Sequence, residues 1–192
     1  MRTVLFVPGF RENLESRNYR SILNGFEAKG YKVKFVAINW SRNTVSDWVK
    51  EFDDMYQKYN PKKTILAGFS YGAIISLVSA SKRSPSELWL FSLSARFHED
   101  FPRLKKSTLR IMGKSKRRLE AFNNLRFYDL SKTVDCKTLI FVGEEEAKDD
   151  PALLERAKEA HKLIPNNQLI LVSGAPHDVS NKKYIVAIEK AI

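Results

Sequence analysis

Five consecutive residues, Gly68-Phe69-Ser70-Tyr71-Gly72, restrict what this chain can fold into more than any other stretch. An apolar run at 64–67 leads into them, and a second apolar segment, Ala73-Ile74-Ile75, follows at once. The pattern reads as strand, sharp turn and helix, with a serine at the point of the turn. Both glycines have a mechanical reason to be there. In so tight a turn the strand and helix backbones nearly touch, and a side chain at Gly68 or Gly72 would collide with the other element. A serine held at such a corner has its hydroxyl pushed out over the edge of the sheet. Taken alone, the same five residues also suit an ordinary strand-to-helix loop. The rest of the chain must therefore supply a base, an acid and an oxyanion site.

The chain has 192 residues, enough for one domain spanning 1–192 with a sizeable core. Hydrophobic residues make up 43% and charged residues 29%, the balance of a globular domain. The single cysteine, Cys136, excludes an intrachain disulfide and a cysteine-rich metal site. It precedes an apolar run and reads as a buried structural thiol, compatible with a cytoplasmic setting. The apolar run of Val4 to Val7, followed by Pro8-Gly9, is too short for a signal-peptide core or a membrane span and reads as a first strand. A formal charge of +11 raises the question of nucleic acid. The basic residues are spread along the chain, densest at Lys105-Lys106 and from Lys114 to Arg118, and no nucleic-acid-binding motif accompanies them. They read as solvated surface, with nucleic acid an unlikely partner.

In order, the chain predicts strands over 3–7, 32–40, 64–69, 88–93, 138–142 and 168–172. Between them, helical spacing of apolar residues predicts helices over 16–29, 44–59, 71–82, 151–163 and 183–192. The strands are continuous apolar runs, which fits a sheet covered by helices on both faces. The expected fold is α/β: a doubly wound, mostly parallel, six-stranded sheet flanked by helices. Residues 96–135 break the alternation; they are polar and basic, with one expected helix near 119–124.

Ligands of such a sheet sit beyond the carboxyl ends of the strands. The residues there are Pro8 to Arg11, Trp40-Ser41, Ser70-Tyr71, Ser94-Ala95, Glu144 to Asp150 and Ala175 to Asp178. A serine, a group of carboxylates and a histidine thus follow one another at one edge. With the Val7-Pro8-Gly9-Phe10, Gly68-Phe69-Ser70-Tyr71-Gly72, Gly143 and Gly174-Ala175-Pro176-His177-Asp178 stretches, the chain resembles a small α/β-hydrolase over nearly its whole length. The resemblance is to minimal members that lack two N-terminal edge strands and a large cap.

The resemblance implies a serine hydrolase that cleaves a carboxylic ester through an acyl-enzyme, without metal or organic cofactor. Ser70 would be the nucleophile and His177 its base, since a serine hydroxyl at pH 7 needs one within reach. His161 reads as surface, with a place in the pocket wall the lesser alternative for His98. Three carboxylates compete for the acid. Counting forward from Gly143 reaches Glu146, while counting back from His177 reaches Asp149. Asp150 precedes Pro151 and reads as a helix N-cap. Asp149 ranks first, then Glu146, then Asp150; Asp178 is too close to His177 to serve. The oxyanion hole would use the backbone N–H groups of Tyr71 and Phe10, although Pro8 stands where the family often has histidine.

Phe10, Trp40, Tyr71 and Phe97 suggest walls for an apolar acyl or aromatic small-molecule ester. The 96–135 segment stands where larger relatives insert a cap and could form a short lid. Arg11, Arg96 and Lys105 would favour an anionic substrate. A thioesterase or small peptidase would use the same triad, and a non-catalytic interaction protein on this scaffold is the competing reading.

Overall fold

A computed structural model describes residues 1–41, 44–103 and 116–191. Lys105 and the rest of 104–115 therefore lie outside the described residues. The elements are β1 (Thr3–Val7), α1 (Tyr19–Ala28), β2 (Lys32–Phe35), α2 (Val45–Tyr56), β3 (Thr64–Phe69), α3 (Tyr71–Lys82) and β4 (Glu87–Phe91), then α4 (Lys116–Asn123), α5 (Phe127–Lys132), β5 (Lys137–Gly143), α6 (Glu144–Asp149), α7 (Pro151–Leu163), β6 (Asn167–Val172) and α8 (Lys182–Ala191). The six strands form one parallel sheet in the order β2-β1-β3-β4-β5-β6.

Alternation along each strand sends successive side chains to opposite faces. Leu5, Val7, Leu66, Leu88, Leu90, Ile140 and Val142 pack under α2, α3 and α7. Val4, Phe6, Ile65, Ala67, Trp89, Phe91, Leu139 and Phe141 face α1 and α8. The second layer is built on aromatic rings: Phe91 lies 4.8 Å from its register partner Phe141 and 6.2 Å from Phe6, two strands away. Interior strands β1, β3, β4 and β5 are buried on both faces, whereas the edge strand β2 exposes its lysines.

The expected second strand over 32–40 stops at Phe35. Its only neighbour, β1, ends at Val7 and turns away at Pro8, so nothing continues the ladder. Val36, Ile38 and Trp40 are buried nonetheless, in the crossing that leads to α2. At Thr44 a reciprocal pair of bonds with Asp47 starts that helix: Thr44 N–H donates to Asp47 at 2.8 Å. The acidic stretch after β5 is helical rather than a loop, forming α6. Asp150 caps the next helix, accepting from Ala152 N–H at 3.3 Å with Pro151 in the first turn. Cys136 is buried, and burial pushes its thiol up to about 11. No helix among the described residues is long and apolar enough to cross a membrane.

Buried phenols give the fold an alkaline limit. Burial, reinforced by the neighbouring carboxylates of Glu12 and Glu146, raises Tyr19 and Tyr184 above the ordinary value of 10.0. A raised phenol favours the folded state fully below pH 10 and loses that contribution as the pH rises further. Each such group then costs about 1.4 kcal/mol per pH unit. Thermal melts should be flat from pH 8 to 9.5 and fall steeply above pH 10; a melting temperature constant to pH 11.5 would contradict the burial of these rings.

Candidate active site

Because all strands are parallel, their carboxyl ends share one edge of the sheet. Ser70 sits there between β3 and α3 with φ 56° and ψ −113°. That region is costly for any residue with a Cβ. It is held by the close approach the glycines permit: a Cβ on Gly72 would strike the carbonyls of Val7 and Pro8, and one on Gly68 the backbone of Gly72. Ser70 N–H donates to Phe91 O at 2.9 Å, and the hydroxyl makes no capping bond to α3. The hydroxyl is left free to face the other strand ends.

His177 follows β6. Its Nδ1–H donates to Glu146 Oε2 at 2.5 Å, which leaves Nε2, 3.2 Å from Ser70 Oγ, to accept a hydrogen bond from the serine hydroxyl. The imidazole rests on Phe69, with ring centroids 4.9 Å apart. Glu146 is wholly buried. Its other oxygen accepts from Ser92 Oγ at 2.7 Å, from the Tyr184 hydroxyl and from Gly143 N–H. These donors fix the carboxylate plane, so Oε2 is aimed at the histidine. Ser92 reaches it from a corner of its own, with φ 50° just after β4. Ala175 O, two residues before His177, accepts from Glu145 N–H at 3.0 Å and Glu146 N–H at 3.3 Å. The start of α6 is thereby tied to the histidine loop.

The carboxylate that meets His177 is thus Glu146, which corrects the preference for Asp149. Asp149 is exposed at the far end of α6, and Asp150 is occupied with capping α7. In a helix that begins at Glu144, the third residue points back over Gly143 while the sixth points to solvent. Asp178 is also accounted for: Ser180 and Arg17 hold its carboxyl below the ordinary range against the opposing effect of burial. Arg17 pairs with Glu12 at 2.6 Å and with Asp178 at 3.2 Å. Glu12 in turn accepts from Gly9 N–H at 3.2 Å. One guanidinium therefore braces the turn after β1 against the histidine loop.

Tyr71 opens α3, where first-turn N–H groups have no acceptor within the helix. Phe10 lies in the turn after β1, and β1 and β3 are neighbours in register through Val7 and Gly68. The Phe10 and Tyr71 rings stand 5.1 Å apart. Sequence reasoning gives Ser94 no role of its own, yet its Oγ is buried 3.0 Å from Ser70 Oγ. A serine a few residues beyond a core aromatic carries no signal of that kind.

Phe10, Trp40 and Tyr71 form a continuous aromatic wall with Trp48 and Phe122, with ring centroids between 5.0 and 6.3 Å. Phe97 is not part of it. It is fully buried against Phe127, 5.0 Å away, and beneath the Arg156 guanidinium. His98 Nδ1 is bonded to Asn123 at 3.0 Å, at the end of the helix that carries Phe122. His161 binds Asn167 on the surface. Among the described residues no group of three or more histidine, cysteine or carboxylate side chains could hold a metal ion.

A six-stranded parallel sheet with a serine elbow after its third strand and an acid and histidine beyond its fifth and sixth defines an α/β-hydrolase fold. Est1E from Butyrivibrio proteoclasticus, solved with ferulic acid bound, matches with a TM-score of 0.81 at 14% identity, over 100% of this chain and 88% of that one. A bromoperoxidase from Bacillus anthracis matches with a TM-score of 0.77 at 15% identity, over 99% and 90%. A lipase-esterase related protein from Clostridium acetobutylicum does so at 0.68 and 20%, over 99% and 93%. No protein-family model matches the chain, and no curated protein matches its sequence.

Proposed function

We propose that this protein is a serine hydrolase that cleaves a carboxylic ester through an acyl-enzyme. The observation that carries the reading is the unbroken hydrogen-bond chain from Ser70 through His177 to buried Glu146. Ser70 Oγ attacks the ester carbonyl as its proton passes to His177 Nε2. Glu146 holds the ring in the tautomer with Nδ1 protonated and stabilises the imidazolium that forms. The backbone N–H groups of Tyr71 and Phe10 receive the oxyanion. His177 then protonates the departing alcohol, and a water activated by the same nitrogen releases the acid and restores Ser70. Apart from the hydrolytic water, each step uses groups that the chain supplies.

Residues 96–103 and 116–132 act as a small fixed cover. Phe127 N–H donates to Glu99 at 3.0 Å, Asp100 pairs with buried Arg156, and Phe122 packs 5.6 Å from Tyr71. These contacts support a wall held in place over the serine.

A fluorophosphonate probe should label the wild type and fail to label Ser70→Ala. Ester, thioester and peptide substrates compared side by side should rank the ester first. An unlabelled wild type supports the non-catalytic scaffold instead, and a preference for thioester or peptide would replace the ester.

A further inference from the structure

The aromatic wall beside Ser70 contains buried hydrogen-bond donors that have no acceptor among the described residues. The indole N–H groups of Trp40 and Trp48 are buried without an acceptor among the described residues, and so is the Nε of Arg96. The chain's third tryptophan, Trp89, shows the ordinary outcome, since its indole donates to Glu87 at 3.1 Å. A buried donor normally finds a partner. Here Trp40 and Trp48 touch each other, with ring centroids 5.0 Å apart, and both lie against Phe10 at 5.5 Å.

Arg96 is placed by the same strand end that brings Ser94 to the nucleophile. Its Nη1 donates to Ala95 O at 2.7 Å, and its guanidinium lies beside the Tyr71 phenol. It is half-buried, and among the described residues no carboxylate stands within ion-pair distance of it. Arg2, Arg17, Arg20, Arg117 and Arg156 all have such partners. A second guanidinium with no carboxylate partner among the described residues, that of Arg11, covers the Phe10 ring at 5.1 Å. The wall is therefore apolar in its body and positive at two points. A half-buried cation of this kind is stabilised by an anion. The formal charge of +11 draws anions toward the site as well.

We infer that the site takes a carboxylic ester bearing a second, ionised acid group beyond an apolar or aromatic body, with that group held by Arg96. This rests on the ester-hydrolase reading and names its substrate class.

The test compares free acids with their own methyl esters, so that only the charge differs. On the acyl side these are mono-p-nitrophenyl glutarate and p-nitrophenyl methyl glutarate. On the alcohol side they are 4-acetoxybenzoate and methyl 4-acetoxybenzoate. In one series or the other, wild type should favour the anionic member by about tenfold in kcat/KM, mainly through KM. Arg96→Gln should erase that ratio and Arg96→Lys should keep part of it. A wild type that favours the neutral member in both series, or a ratio unmoved by Arg96→Gln, overturns the inference. If Ser70 proves unreactive, the pocket is still readable through tryptophan fluorescence. Benzoate should then quench saturably, about tenfold more weakly in Arg96→Gln, and benzyl alcohol should not. Failure of Ser70 labelling with saturable benzoate quenching condemns the hydrolase reading alone. Labelling without anion preference condemns the pocket alone.

Discussion

Glu146→Ala is expected to lower kcat by about 10⁴ while Asp149→Ala keeps wild-type activity. The two carboxylates lie three positions apart in one short helix, yet only Glu146 is buried and bonded to His177. Removing it leaves the imidazole free to rotate and to adopt the tautomer that cannot take the Ser70 proton. It also strands the donors of Ser92, Tyr184 and Gly143. Part of the loss could therefore come from a loosened fold, and Glu146→Gln separates the two. It keeps the shape but not the charge, so its kcat should stay at least 10³ below wild type. Comparable rates for Glu146→Gln and wild type, with Asp149→Ala inactive, would return the acid to the position favoured from sequence.

The largest effect on stability is expected at Gly72. A methyl group there meets the carbonyls of Val7 and Pro8, and Val7 belongs to the buried strand β1, which cannot move independently of the sheet. Gly72→Ala should cost about 3 kcal/mol or more. In a chain of this size that lowers the melting temperature by about 10 °C. Gly25 is the matched control. It lies inside α1 with open space where an added Cβ would go, so Gly25→Ala should stabilise by about 0.5–1 kcal/mol. Equal melting temperatures for the two variants would mean that strand and helix are not in contact at the elbow.

Much of this architecture could be read from residue order. The continuous apolar runs of β1, β3, β4 and β5 announced strands buried on both faces, and the parallel sheet followed from the helices between them. The elbow was legible because two glycines at fixed spacing have a steric cause. The carboxylate that meets His177 was harder. Glu144 to Asp149 has no apolar residue except Ala147, so helical periodicity had nothing to act on, and a buried glutamate looks in sequence like its exposed neighbours. The forward spacing from Gly143 was the better guide, because it counts along a geometry set by the strand end. The wall was half visible. Trp48 and Phe122 sit at ordinary helical core positions, and only their tertiary placement puts them beside Phe10 and Tyr71. Phe97 failed for the opposite reason: proximity to a strand end does not say which way a ring turns. Strand β2 was overdrawn because its apolar continuation is buried by a loop and not by a ladder.

The backbone angles of Ser70 carry a cost in stability. A residue with a side chain in that region costs about 1–3 kcal/mol, against a total folding free energy of about 5–15 kcal/mol. Glycine would occupy the corner with less strain and the chain would hold together better without its hydroxyl. On the proposed reading the serine marks a place where the molecule gives up robustness for reactivity, and efforts to harden this protein against heat should look first to other positions.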